Sequence, residues 1–305
     1  MWRGKTARAC AVGLALLSFG CQRTPSSISE SPPENHAAQV QQWRDKHEAD
    51  YRREWVTISG LHFLDDGSHT IGSGAGSDIV IDAALPARVG TMIVQAGRVR
   101  FEPAAGVTVT QKGQPVTGPI VMKEPSGSAA PEIGIGDVRL VIHSTGDRLA
   151  LRVRDPNGVP AKEFRGFAWF PIAAAYRVVG RFIRDAEPRK LQVMNTLDAL
   201  DTYSTEGVLE FSLWGQALRL RPFTTRPKRF YIVFRDASSG AETYPVARFL
   251  YADLRDDGTA VLDFNQPYNP PFAFNKYTTC PLPLKENILP VKILAGERAY
   301  GAQPR

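Results

Sequence analysis

The sequence predicts a mainly β protein built as a two-lobed β-sandwich or barrel architecture, with one amphipathic N-terminal helix and a long, ordered, proline-rich C-terminal loop. Beyond residue 56, short runs of β-branched and aromatic residues alternate with glycines at a spacing typical of sandwiches and barrels. One earlier stretch has helical periodicity, and the last forty residues combine prolines with aromatic side chains. With 43% hydrophobic and 22% charged residues, the 305-residue chain has the composition of a globular protein.

The first twenty residues have the pattern of a lipoprotein signal peptide. Basic residues precede a short apolar run, which ends in small residues before Cys21. We expect residues 1–20 to be removed and Cys21 to be acylated, which anchors the chain to a membrane. Gln22 after the cysteine resembles a sorting signal for the outer membrane, so we expect the protein on the periplasmic face of that membrane. If Cys21 is not acylated, we expect the protein to be secreted. Residues 21–36, rich in serine and proline, are expected to form a tether.

The charge balance gives no indication of a nucleic-acid partner. Losing Arg3, Lys5 and Arg8 with the signal lowers the 37 basic residues to 34, against 31 acidic residues. The densest basic cluster, between Arg219 and Arg229, is typical of a solvated face. We therefore expect no nucleic acid to bind.

The helix is predicted between Ala37 and Trp55. Val40, Trp43, His47, Tyr51 and Trp55 recur at three- and four-residue spacing, with charged residues between them. The sequence predicts that this apolar stripe packs on the sheet that follows, with His47 as a packing residue.

The first lobe is expected to span residues 37–121, including the helix. Its strands are short, and Asp66-Gly67 predicts a hairpin turn after the first of them. The loop from Met122 to Glu132 is the predicted boundary, so the second lobe is assigned to residues 133–305. Apolar residues occupy every second position from Leu149 to Val153, as in a strand with one buried face. Arg152 and Arg154 are therefore predicted on the opposite face of that strand.

The C-terminal run from Asp263 to Glu297 is predicted to be a packed loop. Six prolines exclude a regular helix or a central strand, and the aromatic residues are too apolar for disorder. Such a loop is expected to border a site or to close a core.

Two resemblances follow from these motifs. The order Asp263-Phe264-Asn265, then Tyr268-Asn269-Pro270-Pro271, then residues 278–283 (TTCPLP) resembles the DUF1684 family of uncharacterised bacterial and archaeal proteins. That resemblance implies no established activity. Where family members often have a cysteine after the two prolines, this chain has Phe272, so Cys280 has no partner thiol there. Residues 66–82 (DGSHTIGSGAGSDIVID) resemble the start of a forkhead-associated (FHA) domain, a β-sandwich that binds phosphothreonine, but its ligand-bearing positions do not match.

Recognised catalytic motifs are absent from the sequence, and no cofactor is implied. Five histidines are present; His62 and His69 flank the Asp66-Gly67 turn but lack a third ligand, so no metal site is predicted. Cys280 is interpreted as a small buried hydrophobe.

A set of polar residues in the best-matched segments is the candidate site: Arg152, Tyr244, Arg248, Asp263, Asn265, Asn269 and Glu297. Arg248 and Asp263 are expected to pair, which would fix the C-terminal loop to the sheet. Alternatively, the arginines receive an anionic or polyhydroxyl ligand. The sequence thus predicts a membrane-anchored envelope lipoprotein of unknown specific function, acting as a ligand-binding or scaffolding module. The alternative is a hydrolase of an envelope polymer or small ester that uses Asp263 and Glu297 with Arg248.

Overall fold

The structure, a computed structural model, describes residues 1, 28–126 and 132–301. The predicted signal peptide, the lipidation site Cys21 and the first part of the predicted tether lie outside the described residues. Among the residues that it describes, no helix is both long enough and apolar enough to cross a membrane.

The expected mainly β fold with one main helix is confirmed. The helices are α1 (His36–Glu54) and the short α2 (Val159–Glu163), with 3₁₀ turns at Ala174–Tyr176, Pro271–Ala273 and Lys285–Asn287. The first eleven strands are β1 (Ile58–Leu64), β2 (Gly67–Gly72), β3 (Ile79–Val80), β4 (Gly90–Gln95), β5 (Arg98–Pro103), β6 (Val109–Gln111), β7 (Gln114–Val116), β8 (Ile120–Lys123), β9 (Ile133–Ile135), β10 (Val138–Thr145) and β11 (Arg148–Arg154). The remaining strands are β12 (Arg177–Met194), β13 (Leu200–Leu213), β14 (Gln216–Leu220), β15 (Phe223–Arg226), β16 (Arg229–Phe234), β17 (Arg248–Asp253) and β18 (Thr259–Asp263).

The first lobe is a sandwich of a six-stranded and a five-stranded sheet. The spatial orders are β1-β11-β10-β9-β6-β7 and β3-β2-β4-β5-β8. Their facing sides enclose one core, which includes Ile71, Met92, Phe101, Leu140 and Val153. Successive residues of a strand point to opposite faces, so the outer face of β11 carries Arg152 and Arg154 as predicted.

Two local predictions for this lobe are wrong. β1 belongs to the six-stranded sheet and β2 to the five-stranded sheet, so Asp66-Gly67 turns the chain between sheets and does not close a hairpin. The predicted boundary at 122–132 falls inside the sandwich, because β9, β10 and β11 complete the sheet that contains β1 and β6. Strand pairing over long sequence distances assigns β9, β10 and β11 to the first lobe. The polar loop before them does not show which sheet the next strand joins.

The second lobe packs a four-stranded sheet, β14-β13-β12-β18, against a three-stranded sheet, β15-β16-β17. The core between them includes Phe182, Leu209, Phe230, Phe234 and Leu262. The C-terminal loop closes one edge of this core with Leu289, Val291 and Ile293, which confirms the predicted packed loop.

Helix α1 covers the outer face of the three-stranded sheet, and its predicted docking on the following sheet is wrong. Strand β16 buries both of its faces, with Ile232 in the inter-sheet core and Val233 in a second cluster that includes Tyr51 of α1. The long helix packs there because that face of the sheet is apolar, and the ends of β12 and β13 join the same cluster through Val193 and Tyr203. Consequently α1, the C-terminal loop and strands from both sheets of the second lobe meet in one place.

Candidate functional site

The predicted polar residues do not line one cleft. Six of the seven are buried, and the structure divides those of the C-terminal lobe among separate hydrogen-bonded groups. Asn265 is brought to Asp263, and Asn269 to Glu297. Among the described residues, neither Arg152 nor Tyr244 is hydrogen-bonded to another member of the set.

The expected pair of Arg248 with Asp263 is wrong. Arg248 donates to Asp236 at 2.7 Å, and both side chains are completely buried. The same guanidinium donates to the carbonyl oxygens of Ile293, at 3.0 Å, and Ala295. Asp236 is nearer because it follows the end of β16, which pairs directly with the start of β17, where Arg248 lies. The arginine therefore fixes the C-terminal loop to the sheet, as expected, but through another carboxylate.

Glu297 is held by Asn269. Its carboxylate accepts the backbone N–H and the side-chain amide of Asn269, both at 2.7 Å. Burial raises the pKa of Glu297 well above its usual range, although the two hydrogen bonds and Arg248 act in the other direction. Burial therefore favours the neutral form of this carboxyl group, and its two hydrogen bonds fasten the end of the loop to Asn269.

Asp263 belongs to the anchorage of α1. Nε2 of His36, the first residue of the helix, lies 2.7 Å from Asp263, which also accepts the side-chain amide of Asn265 at 2.8 Å. Arg44 lies further along the same helix. It donates to the carbonyl oxygens of Phe170, at 3.0 Å, and Asn265, at 2.9 Å. These contacts fix the helix to the loop.

The two remaining members lie apart. Arg152 is on the outer face of β11, and Tyr244 is partly buried in the connection between β16 and β17. Burial raises the pKa of Tyr244. Neither is placed to act with Asp263 or Glu297 through a hydrogen bond that the described residues make.

An open aromatic cleft lies where α1 crosses the three-stranded sheet. Its volume is about 520 Å³. The aromatic lining comes from α1, β13, β16, β17 and the C-terminal loop, and comprises Trp43, His47, Tyr51, Trp55, Tyr203, Tyr231, Phe249, Tyr251 and Tyr268. Asp50, Glu54, Thr225 and Thr279 supply polar groups at its border. We call this the aromatic cleft.

Ring contacts order the walls of the aromatic cleft. His47 stacks on Trp43 with centroids 4.8 Å apart and lies 4.4 Å from the ring of Tyr268. Tyr251 stacks on Tyr231 at 5.1 Å and is 37% exposed, which makes it the most accessible of the tyrosines that line the cleft. Such contacts limit the side-chain freedom that a ligand has to remove on binding.

The titratable groups of the cleft are uncharged at neutral pH, apart from its border carboxylates. The ring contacts of His47 with Trp43, Tyr51 and Tyr268 confirm it as a packing residue. Burial lowers its pKa to about 4, and its Nε2 has no hydrogen-bond partner among the described residues. Burial raises the pKa of Tyr203 to about 12 and that of Cys280 to about 12. Cys280 is a free, buried thiol, as predicted.

A more polar groove continues from the cleft along α1. The two share Trp43 and Tyr251, and the groove has a volume of about 390 Å³. Its charges are largely paired: Arg177 lies 2.7 Å and Arg255 2.5 Å from Glu30. The last described residues before the helix thus lie against the second lobe.

A wider cleft of about 1050 Å³ lies beside α2. Its lining mixes charged side chains, such as Lys162 and Glu163, with aromatic rings, such as Phe164 and Phe274. His62 and His69 lie on strands of different sheets. No group of three or more metal-binding side chains occurs within the described ranges.

Sequence reasoning found the helix wall of the cleft but missed the sheet wall. The four-residue spacing of Trp43, His47, Tyr51 and Trp55 was visible as an apolar stripe. The signal for the sheet wall was the continuous apolar run of β16, which indicates a strand buried on both faces.

Comparison with known proteins supports the family resemblance. The model of a family described as "Protein of unknown function (DUF1684)" matches residues 162–298. This match supports the DUF1684 assignment. The matched segment contains the C-terminal loop and the sheet wall of the aromatic cleft, whereas α1 and Arg152 lie before it.

Among solved structures, this chain is similar to an uncharacterised protein of Haloarcula marismortui determined by solution NMR. The two are 27% identical over 49% of this chain and 85% of that one, with a TM-score of 0.41. No curated protein matches the chain.

Proposed function

We propose that this protein is a cell-envelope lipoprotein, held at a membrane by acylated Cys21, whose aromatic cleft binds a neutral polyhydroxyl ligand such as a sugar ring. The observation that carries the proposal is the cleft itself. Aromatic rings on both walls remain open to solvent in a space of about 520 Å³, which lies in the range of small-molecule sites.

The chemistry of the border favours a neutral hydroxylated ligand. Asp50 and Glu54 line the cleft and are paired with Lys46 and Arg53, so the charges at this border balance. Their carboxylates can accept hydrogen bonds from hydroxyl groups. The lining tyrosines are protonated and can donate as well as accept. Ring faces supply apolar contact for the C–H surfaces of the ligand.

The hydrolase alternative finds no support in the geometry. Arg248 is fully buried and paired with Asp236, and Glu297 is fully buried against Asn269. Asp263 is engaged with His36 and Asn265. A general acid and a general base must be accessible to a substrate. These carboxyl groups are instead hydrogen-bonded to other groups of the protein.

Tryptophan fluorescence tests the binding proposal, since Trp43 and Trp55 both line the cleft. The probes are oligosaccharides of glucose and of N-acetylglucosamine. We expect at least one to change the emission saturably, and Tyr251→Ala to weaken its apparent affinity about tenfold or more, equivalent to roughly 1.4 kcal/mol.

The matched control is Trp214→Ala, which removes an exposed aromatic residue remote from the cleft, in the turn between β13 and β14. Its affinity should equal that of the unaltered protein. No response to any sugar, or equal weakening by both variants, would contradict the cleft as a sugar site.

The membrane anchor has its own test. Cys21→Ser should move the protein from the membrane fraction to the soluble fraction of the cell envelope, because the acyl chains are lost. Unchanged membrane fractionation would rule out acylation of Cys21 as the anchor, and it would leave the cleft proposal untouched.

A further inference from the structure

Arg152 differs from the other buried arginines of the described chain. Four arginines in these residues are at least nine-tenths buried: Arg44, Arg152, Arg221 and Arg248. Arg221 pairs with Asp185 and Glu286, Arg248 with Asp236, and Arg44 donates to two carbonyl oxygens. For Arg152, 8% exposed, the described residues supply neither an ion pair nor a hydrogen bond. Its Nε is buried without a partner, as are those of Arg44 and Arg248, but those two arginines have partners at their other nitrogens.

A buried guanidinium without a partner is costly. Burial, with a contribution from Arg154, lowers the pKa of Arg152 to about 10, so the group still carries its charge at neutral pH. Charges buried in proteins are normally paired or hydrogen-bonded, because desolvation is otherwise uncompensated. An anion beside Arg152 would supply that compensation.

The neighbours of Arg152 increase the positive charge. Arg154 lies on the same face of β11, directly opposite Arg139 of β10. Like charges at opposite positions of neighbouring strands are unfavourable. Among the described residues, the ion pair that reaches this cluster joins Glu132 to Arg154 over 3.9 Å, and both side chains are partly exposed. Arg139 donates instead to the carbonyl oxygens of Gly136 and Val138.

The C-terminal loop closes over the same face. Nε2 of His143, which follows Arg139 along β10, lies 2.9 Å from the hydroxyl of Thr279. Burial and the positive charge of Arg152 together lower the pKa of His143 to about 4, so the imidazole is neutral. The cluster therefore sits where the first sandwich meets the loop of the second lobe.

From this arrangement we propose that Arg152 is the main ligand of a small-oxyanion site between the lobes, with Arg154 as a second cation. A planar guanidinium binds phosphate or sulfate through paired N–H donors, and such charge-assisted bonds are strong in a partly dehydrated place. The bound group is a phosphate or sulfate, free or as the terminal group of a larger molecule. This site is independent of the aromatic cleft.

Thermal unfolding at constant ionic strength tests the site, with chloride compared to inorganic phosphate and sulfate. Phosphate or sulfate should raise the Tm of the unaltered protein by roughly 2–4 °C, because a ligand that binds the folded state stabilises it. Arg152→Met should abolish this shift, and Arg152→Lys should reduce it, because a lysine lacks the paired donors. Methyl phosphate that acts as well as inorganic phosphate indicates a site open to the terminal group of a larger ligand.

Arg44→Met is the matched control, because it removes an equally buried arginine that already has partners. It should lower the Tm but keep the phosphate shift. If Arg152→Met does not fold, Arg154→Met tests the same site, because Arg154 is the second cation and is partly exposed. This variant should show a smaller rise in Tm with phosphate. The proposal is overturned if neither phosphate nor sulfate raises the Tm of the unaltered protein. It is also overturned if Arg152→Met has a higher Tm in chloride than the unaltered protein and phosphate still raises its Tm by the same amount.

Discussion

Arg248 donates to Asp236 at 2.7 Å in a place where neither side chain is exposed to solvent. Because the same guanidinium holds two carbonyl oxygens of the C-terminal loop, this pair joins the sheet to the loop. We expect Arg248→Met to lower the free energy of unfolding by about 3–5 kcal/mol, since it leaves the Asp236 carboxylate buried without its cation. Urea denaturation followed by circular dichroism measures the change.

The control for that variant is the exposed pair of Arg229 with Asp253, whose oxygen lies 2.6 Å from the arginine and whose side chains are 30% and 67% exposed. Asp253→Ala should change the free energy of unfolding by less than about 1 kcal/mol. Equal losses in the two variants would show that the buried pair has no special part in holding the loop.

Glu297 should make stability depend on pH. Its pKa is raised in the folded state by burial, so between its unfolded pKa and its folded pKa the folded protein binds more protons than the unfolded chain. Stability therefore falls as pH rises through that window. Glu297→Gln resembles the neutral form and should show a smaller loss of urea midpoint between about pH 5 and about pH 8 than the unaltered protein. Identical pH profiles would mean that Glu297 is ionised in the folded state.

Cys280 should be unreactive in the folded protein. It is 2% exposed, and burial raises its pKa to about 12, which lowers the thiolate population at pH 8 by roughly a thousandfold relative to a free cysteine. In a background in which Cys10 and Cys21 are both replaced by serine, a thiol reagent should label Cys280 in urea but not under native conditions. Rapid native labelling would place this thiol at an accessible site and revise the account of the loop.

The His36–Asp263 contact should stabilise the docked helix. Nε2 of His36 lies 2.7 Å from Asp263, and both residues are buried. Asp263→Ala removes this partner and the acceptor of the Asn265 amide, so we expect a loss of about 1–3 kcal/mol in the free energy of unfolding. Asp257→Ala, which removes only a contact to Thr259 in a surface turn, is the comparison. Equal small losses would mean that the contact does not hold α1.

Sequence patterns anticipated the parts of this fold that depend on neighbouring residues. The period of α1, the alternation of Arg152 and Arg154 on β11 and the proline content of the loop are all local, so each predicted its element correctly. The buried thiol of Cys280 was predicted because a free cysteine usually behaves as a small hydrophobe.

The tertiary structure decided which surfaces and charges meet. Asp236 and Asp263 both lie near Arg248 in sequence, and only the pairing of β16 with β17 selects Asp236. An apolar stripe on α1 indicates that the helix packs, but the apolar outer face of the three-stranded sheet determines where it packs. The candidate ligand cleft and the unpaired Arg152 arise from such long-range contacts. A one-dimensional pattern records the burial of a residue and does not record its partner.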